Sequence, residues 1–311
     1  MIPYYIRMLN DENRINHFKK AIFECVKEGD VVVEIGSGLG TYSFFAALAG
    51  ASKVYAIEET AIIEDSKSLA MENGLIDKIE FIKADSTKVS LPEKADVLIF
   101  EDFSASFITS RCNKIIVDAK ARLLKENAKI LPFCSELYLS LLKSEKIYKE
   151  LSLKNEGDLY GLDFSSLFKK GMNNWYVEKL ESKDILSESK LLRSFDFYID
   201  NDFSFNEDLS FQLESCEIFG ITSWFDLKIT DQVFLSNYPS SLPTVWGQAI
   251  FPFEKPVKIN ESQKITLSMC NQQNVEMTEQ YFSWSLKVGD VCYNGSTFKG
   301  FSLDVESLVM K

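Results

Sequence analysis

The chain has 311 residues, 46% of them hydrophobic, which is enough for a full core and two domains. Its formal net charge is −12, from 34 basic and 46 acidic residues without a basic patch, so nucleic acid is not an expected partner. Six cysteines lie scattered with no C-x-x-C pair, which argues against a zinc knuckle or redox dithiol and suits thiols kept in a reducing compartment.

The N-terminal stretch "MIPYYIRMLNDENR" turns polar within a few residues and lacks the apolar core of a signal peptide. The longest apolar-rich run, near "YSFFAALAGA", is too short to span a membrane. A cytoplasmic protein with no membrane partner is expected. The single histidine, His17, falls in "RINHFKKAIFECV", where Ile15, Phe18, Ile22, Phe23 and Val26 are spaced for one apolar helix face. This places His17 on the exposed side and leaves acid–base work to carboxylates.

Strand and helix signals then alternate. Strands are expected at 30–36, 53–58, 78–85 and 95–102, with helices at 41–51, 62–74 and 111–128 and a further strand at "KILPF". Such alternation predicts a doubly wound parallel sheet, a Rossmann-like domain over 1–132. Beyond Pro132, aromatic and β-branched residues alternate with polar ones in "SELYLSLL", "SFDFYID", "SFQLESCEIFGITSWFDLKI", "KITLSM", "YFSWSLKV" and "GFSLDV". Residues 133–311 therefore read as an antiparallel β domain, interrupted by a segment of mixed character over 155–180.

The chemistry concentrates at strand ends. Gly36, Ser37, Gly38 and Gly40 form a G-x-G-x-G loop after the first strand, unlike the G-x-G-x-x-G of pyrophosphate binders. Glu34, inside that strand's end, disfavours phosphates and tolerates a ligand bearing ammonium and sulfonium charge, such as S-adenosylmethionine. Glu58 ends the second strand, where an acid can grip both ribose hydroxyls. Asp85 ends the third strand and Ser86 follows it, near the expected adenine, and "VLIFED" delivers Glu101 and Asp102 at the end of the fourth.

These residues lie within a broader likeness. "MLNDENRINHFKKAI" resembles the M-L-x-D-x-x-R signature of the protein arginine methyltransferases, and "VVVEIGSGLGTYSFFAALAGASKVYAIEE" resembles their cofactor motifs without a gap. "LPEKADVLIFEDF", "ARLLKENAKILP", "YGLDFS" and "TVWGQAIFPFEKPVKINESQKITLSM" extend the likeness over nearly the whole chain. It implies S-adenosylmethionine as cofactor, with Arg14 on its carboxylate, Glu34 and Gly36 at its amino-acid end and Glu58 on its ribose. It also implies a β-barrel-like second domain, a dimerisation arm near 160–185 and a homodimer.

In that family two glutamates of one loop clamp the substrate guanidinium, a planar cation suited to paired charge-assisted hydrogen bonds. Glu101 falls on the first and is the candidate catalytic residue. The tryptophan position of that loop is Asp102, the second glutamate is Ser110, with Arg111 beside it, and the T-H-W motif reads Thr244-Val245-Trp246. The cofactor half is kept and the acceptor half rewritten. The leading expectation is a methyltransferase acting on nitrogen of a non-standard small molecule or peptide. A non-catalytic scaffold retaining the cofactor site is the alternative. A nicotinamide oxidoreductase is disfavoured by the glycine spacing. No metal site is expected.

Overall fold

A computed structural model describes residues 2–105, 110–273 and 280–300. Helices α1 (Ile2–Leu9) and α2 (Glu12–Cys25) precede a parallel sheet of β1 (Val31–Ile35), β2 (Lys53–Glu58), β3 (Ile79–Lys83), β4 (Ala95–Phe100) and β5 (Leu124–Leu131). The helices α3 (Thr41–Ala49), α4 (Ile63–Glu72) and α5 (Ser110–Arg122) connect them. The strand order is β3-β2-β1-β4-β5, so the winding reverses between β1 and β4. Helices cover both faces of such a sheet, which is why Val31–Ile35 is buried throughout and reads as an apolar run rather than an alternating one. In open sheets of this kind the crevice at the carboxyl ends beside the reversal is the natural ligand site.

Two expectations about the helices are corrected. Helix α5 ends at Arg122 rather than 128, because Leu124 pairs with Ala95 in β4. The register then jumps so that Val97 faces Lys129. The apolar spacing of Leu123, Leu124 and Ala128 imitated a continuing helix, and strand pairing overrode it. On α2 the buried residues are Arg14, Phe18, Ala21 and Ile22, while Phe23 is 45% exposed and His17 is half-buried rather than exposed. An inward-held Arg14 rotates the face away from the purely apolar spacing.

The rest is antiparallel. It comprises β6 (Cys134–Leu142), α6 (Glu145–Leu151), β7 (Asp158–Leu159), β8 (Leu162–Asp163), α7 (Ser165–Met172), β9 (Tyr176–Glu178) and β10 (Lys190–Asp196). These are followed by β11 (Phe205–Leu213), β12 (Cys216–Thr230), β13 (Val233–Ser236), β14 (Gln248–Ile259), β15 (Gln263–Gln273), β16 (Gln280–Val288) and β17 (Val291–Ser296). Among the described residues the hydrogen bonds make two main sheets, β10-β6-β12-β14-β9 with β13 on β12, and β11-β15-β16-β17, rather than one closed cylinder. The single run expected at 210–229 is divided at Glu214 and Ser215 between β11 and β12. Beyond Gly300, the strand expected at 300–305 lies outside the described residues. The segment of mixed character contains the β7–β8 hairpin and α7. Its base packs on Phe219 and Ile250 of its own sheet, while Tyr160 at the tip is 94% exposed.

One hydrophobic core runs through both sheet systems. The ring of Phe103 lies 5.5 Å from Phe100, 6.3 Å from Phe197 and 6.4 Å from Phe225. Glu101 and Asp102 are thus held between two anchored phenylalanines at the junction of the domains.

Candidate functional site

Arg14, Glu34, Gly36, Ser37, Gly38, Glu58, Asp85, Ser86 and Glu101 all line one cavity of about 290 Å³ at the carboxyl ends of β1, β2 and β4, whereas Gly40, the last glycine of the loop, does not. Its walls begin with the glycine loop. The Gly36 and Ser37 N–H groups donate to the Ile57 carbonyl at 2.9 and 3.1 Å, tying the loop to β2. Gly38 has φ +52°, and a Cβ there would lie 3.0 Å from the Tyr5 ring of α1. Glycine is needed both for the left-handed backbone and for the close approach of α1. The Gly38 N–H in turn donates to Glu58 Oε2 at 3.0 Å, and the Thr60 N–H to Glu58 Oε1 at 2.8 Å. Each Glu58 oxygen keeps acceptor capacity toward the cavity, as a carboxylate has about four lone-pair sites.

Glu34 is buried, accepts a short hydrogen bond from Ser43 Oγ, and has its carboxyl pushed up to about 8 by desolvation. The folded chain holds this proton until pH nears 8, while the unfolded chain releases it near its ordinary value of 4.5. Unfolding across that window releases a proton, so this contribution is full at low pH and is lost as pH climbs through 8. The ligand-free protein is accordingly expected to melt several degrees higher at about pH 6 than at about pH 9, by scanning fluorimetry. A Glu34→Gln variant should flatten that slope.

Arg14 and Glu101 meet at the cavity floor. Arg14 Nη1 donates a short hydrogen bond to Glu101 Oε2, and Nη2 donates to the Met8 carbonyl at 2.8 Å. Their side chains are 2% and 6% exposed, so the pair is buried. Burial raises the Glu101 carboxyl to about 7; Arg14 opposes that rise and Asp102 adds to it. The Trp246 ring stands 5.9 Å from the guanidinium carbon of Arg14. Asp102 sits at the exposed rim, and Arg111 pairs with Glu59 at 2.6 Å. Asp85 uses its carboxylate locally, accepting from Thr87 N at 3.0 Å and Thr87 Oγ1 at 2.8 Å, and this holds it below the usual carboxylate range.

Asp11 was not among the expected site residues. One of its oxygens caps α2, accepting from Arg14 N at 3.0 Å; the other accepts from Val245 N at 2.8 Å. A single carboxylate therefore joins the cofactor-side helix to the loop of the second domain. The signal available for it was the D-x-x-R spacing of an N-cap just ahead of α2. Ser43 and the Glu59–Arg111 pair carried no comparable signal.

The cavity fits a polar ligand. Ser37 Oγ and Tyr42 Oη are buried in its wall without a protein hydrogen-bond partner, a condition a bound polar group would relieve. Besides the protonated Glu34, the wall carries Glu58, Glu59, Asp85, Glu101 and Asp102 against Arg14 and Arg111, which favours a ligand bearing positive charge. Among the described residues no helix is long and apolar enough to cross a membrane.

Residues 134–289 match the family model described as the arginine methyltransferase oligomerization subdomain. The chain is 29% identical over 277 residues to the probable histone-arginine methyltransferase 1.4 of Arabidopsis thaliana, covering 83% of this chain and 52% of that protein. It thus spans about half the length of that relative. The Trypanosoma brucei PRMT1 enzyme–prozyme heterotetrameric complex with AdoHcy superposes with a TM-score of 0.85 at 22% identity, over 94% of this chain and 97% of the matched one. Protein arginine methyltransferase 10 of Arabidopsis thaliana, solved in an open conformation, gives a TM-score of 0.81 at 21% identity, over 96% of this chain and 98% of that one.

Proposed function

Because this chain belongs to the protein arginine methyltransferase family, we propose that it is an S-adenosylmethionine-dependent methyltransferase with a rewritten acceptor site. The observation that carries this is the convergence of Arg14, Glu34, the glycine loop, Glu58 and Glu101 on one acidic cavity at the winding reversal of the sheet. Bound there, S-adenosylmethionine supplies a sulfonium-borne methyl group as electrophile. Glu58 holds the ribose hydroxyls, and the loop 36–38 gives backbone room to the amino-acid end. Arg14 attracts the carboxylate, and Glu34 and the unpartnered Tyr42 hydroxyl are available to its ammonium group.

Glu101 orients the acceptor N–H and takes up its proton; a carboxyl raised to about 7 is suited to that exchange near neutrality. It has no second carboxylate at position 110, where the chain has serine, and Arg14 already engages it. One carboxylate cannot fix a guanidinium plane as a pair does. This supports a small-molecule or peptide nitrogen acceptor over ordinary protein arginine. The same sharing of Glu101 favours, as second reading, a non-catalytic scaffold that retains the cofactor site.

Titration calorimetry with S-adenosylmethionine and S-adenosylhomocysteine tests the cofactor. Binding is expected for the wild-type chain and about a hundredfold weaker for Glu58→Ala, which loses charge-assisted bonds to two hydroxyls. Wild-type protein that binds neither compound at millimolar concentration sinks the reading. Binding without turnover across guanidino compounds, free amino acids and peptides selects the scaffold.

The exposed tip of the inserted segment, with Tyr160, Leu162 and Leu167, supports a homodimer in which it docks on a second copy. Light scattering at micromolar concentration is expected to give twice the 35.5 kDa of one chain. A Tyr160→Asp, Leu162→Asp variant should run as a monomer. The free thiols fit a cytoplasmic location.

A further inference from the structure

We propose that the Glu59–Arg111 ion pair is a clasp across the mouth of the cavity that retains the bound cofactor and sets its rate of release. The inference rests on the cofactor reading above. Glu59 follows β2 directly, and Arg111 lies in the first turn of α5, the helix after β4. In the order β3-β2-β1-β4-β5 these elements flank β1, so their link bridges the crevice in front of the glycine loop. Both residues line the cavity, their charged atoms are 2.6 Å apart, and their side chains remain 42% and 47% exposed. A pair so placed is at the rim and open to water.

The surroundings make Arg111 the dominant partner. Its guanidinium is stabilised first by the hydrogen bond to Glu59 and further by Asp102 and Asp85, so it is the cation that gathers the acids of the rim. Without it, Glu58, Glu59 and Asp102 repel one another and the mouth widens. Without Glu59, Arg111 still has Asp102 to turn toward. Loss of Arg111 should therefore be the more damaging change. Because the pair is half in solvent, salt should loosen it.

The experiment measures S-adenosylhomocysteine affinity by calorimetry and its dissociation rate by stopped-flow displacement, at low and high sodium chloride. Wild-type chain is compared with Glu59→Gln, Arg111→Gln and the reversed pair Glu59→Arg, Arg111→Glu. The expected result for Arg111→Gln is release about three- to fivefold faster, the size of an exposed pair, with a smaller change for Glu59→Gln. Arg111→Gln should lose the salt dependence of release that the wild type has, Glu59→Gln should keep part of it through Asp102, and the reversed pair should recover only part of the retention, because a carboxylate at 111 faces Asp102 and Asp85. Equal release rates and salt dependence in all four proteins overturn the clasp alone. Wild-type protein that does not bind the nucleoside overturns the cofactor reading and the clasp with it. Unchanged melting temperatures among the variants separate the effect from general instability.

Discussion

Arg14→Ala is expected to weaken S-adenosylhomocysteine binding by about a hundredfold or more, through loss of a buried charged contact to the ligand carboxylate. The same change should lower stability by about 3 kcal/mol, the low end for breaking a buried ion pair. Arg14 and Glu101 are both almost entirely enclosed, so removing the cation leaves a carboxylate with neither water nor partner. The loss is limited because Glu101 can take a proton: its carboxyl already stands at about 7 with Arg14 present, and losing that neighbour raises it further. In melting experiments this corresponds to a fall of roughly 5–10 °C at pH 8, and less at pH 6, where the proton is available. Arg14→Lys keeps the charge but not the fork that reaches Glu101 and the Met8 carbonyl together, so it should recover stability better than affinity. A melting point and an affinity both unmoved in Arg14→Ala would remove this residue from the site.

Glu101→Gln separates binding from chemistry. Methyl transfer to an acceptor that supports turnover should fall about a hundredfold or more, the range of a lost general base. Cofactor affinity should hold or improve, because Arg14 no longer shares its guanidinium with a carboxylate. The wild-type rate should rise with pH through about 7 as Glu101 becomes the carboxylate, and the variant's remaining rate should lack that limb. The sign follows from the base form being the active one. Turnover and pH profile equal to wild type would eliminate Glu101 as the group that handles the acceptor.

The parallel sheet was readable because its central strands β1, β2 and β4 are buried on both faces and appear as short apolar runs with acids or glycines at their ends. The cofactor residues were readable for the same reason, since a strand end is a place that topology brings to the crevice. Antiparallel β14 was not. Pro252 and Pro256 argue against a strand interior, yet the β12–β14 register shifts between Ile218 and Gly220, with Gly220 facing Pro252. A Cβ on Gly220 would lie 2.5 Å from the Phe251 carbonyl oxygen, so the irregularity depends on a residue remote in sequence. The partners that complete the site are likewise long-range: Glu101 lies 87 residues from Arg14, and Val245 lies 234 from Asp11. Only folding decides which of many acids and amides become neighbours.

Asp11 reaches Val245 through the peptide N–H and not through the side chain. Where the T-H-W motif that the chain resembles has histidine, this chain has a residue whose side chain carries no polar group, and Asp11 is held there by an atom that nearly every amino acid possesses. Position 245 thus needs a backbone N–H for Asp11 and an apolar side chain of valine's size, because Val245 also packs against the core. A library saturating that codon should favour apolar side chains near valine in volume, fall modestly at polar ones of that size, and drop at proline, whose nitrogen has no hydrogen to give. A fastening made by the backbone tolerates a change of side chain that erases a family signature, because the atom that fastens is unchanged.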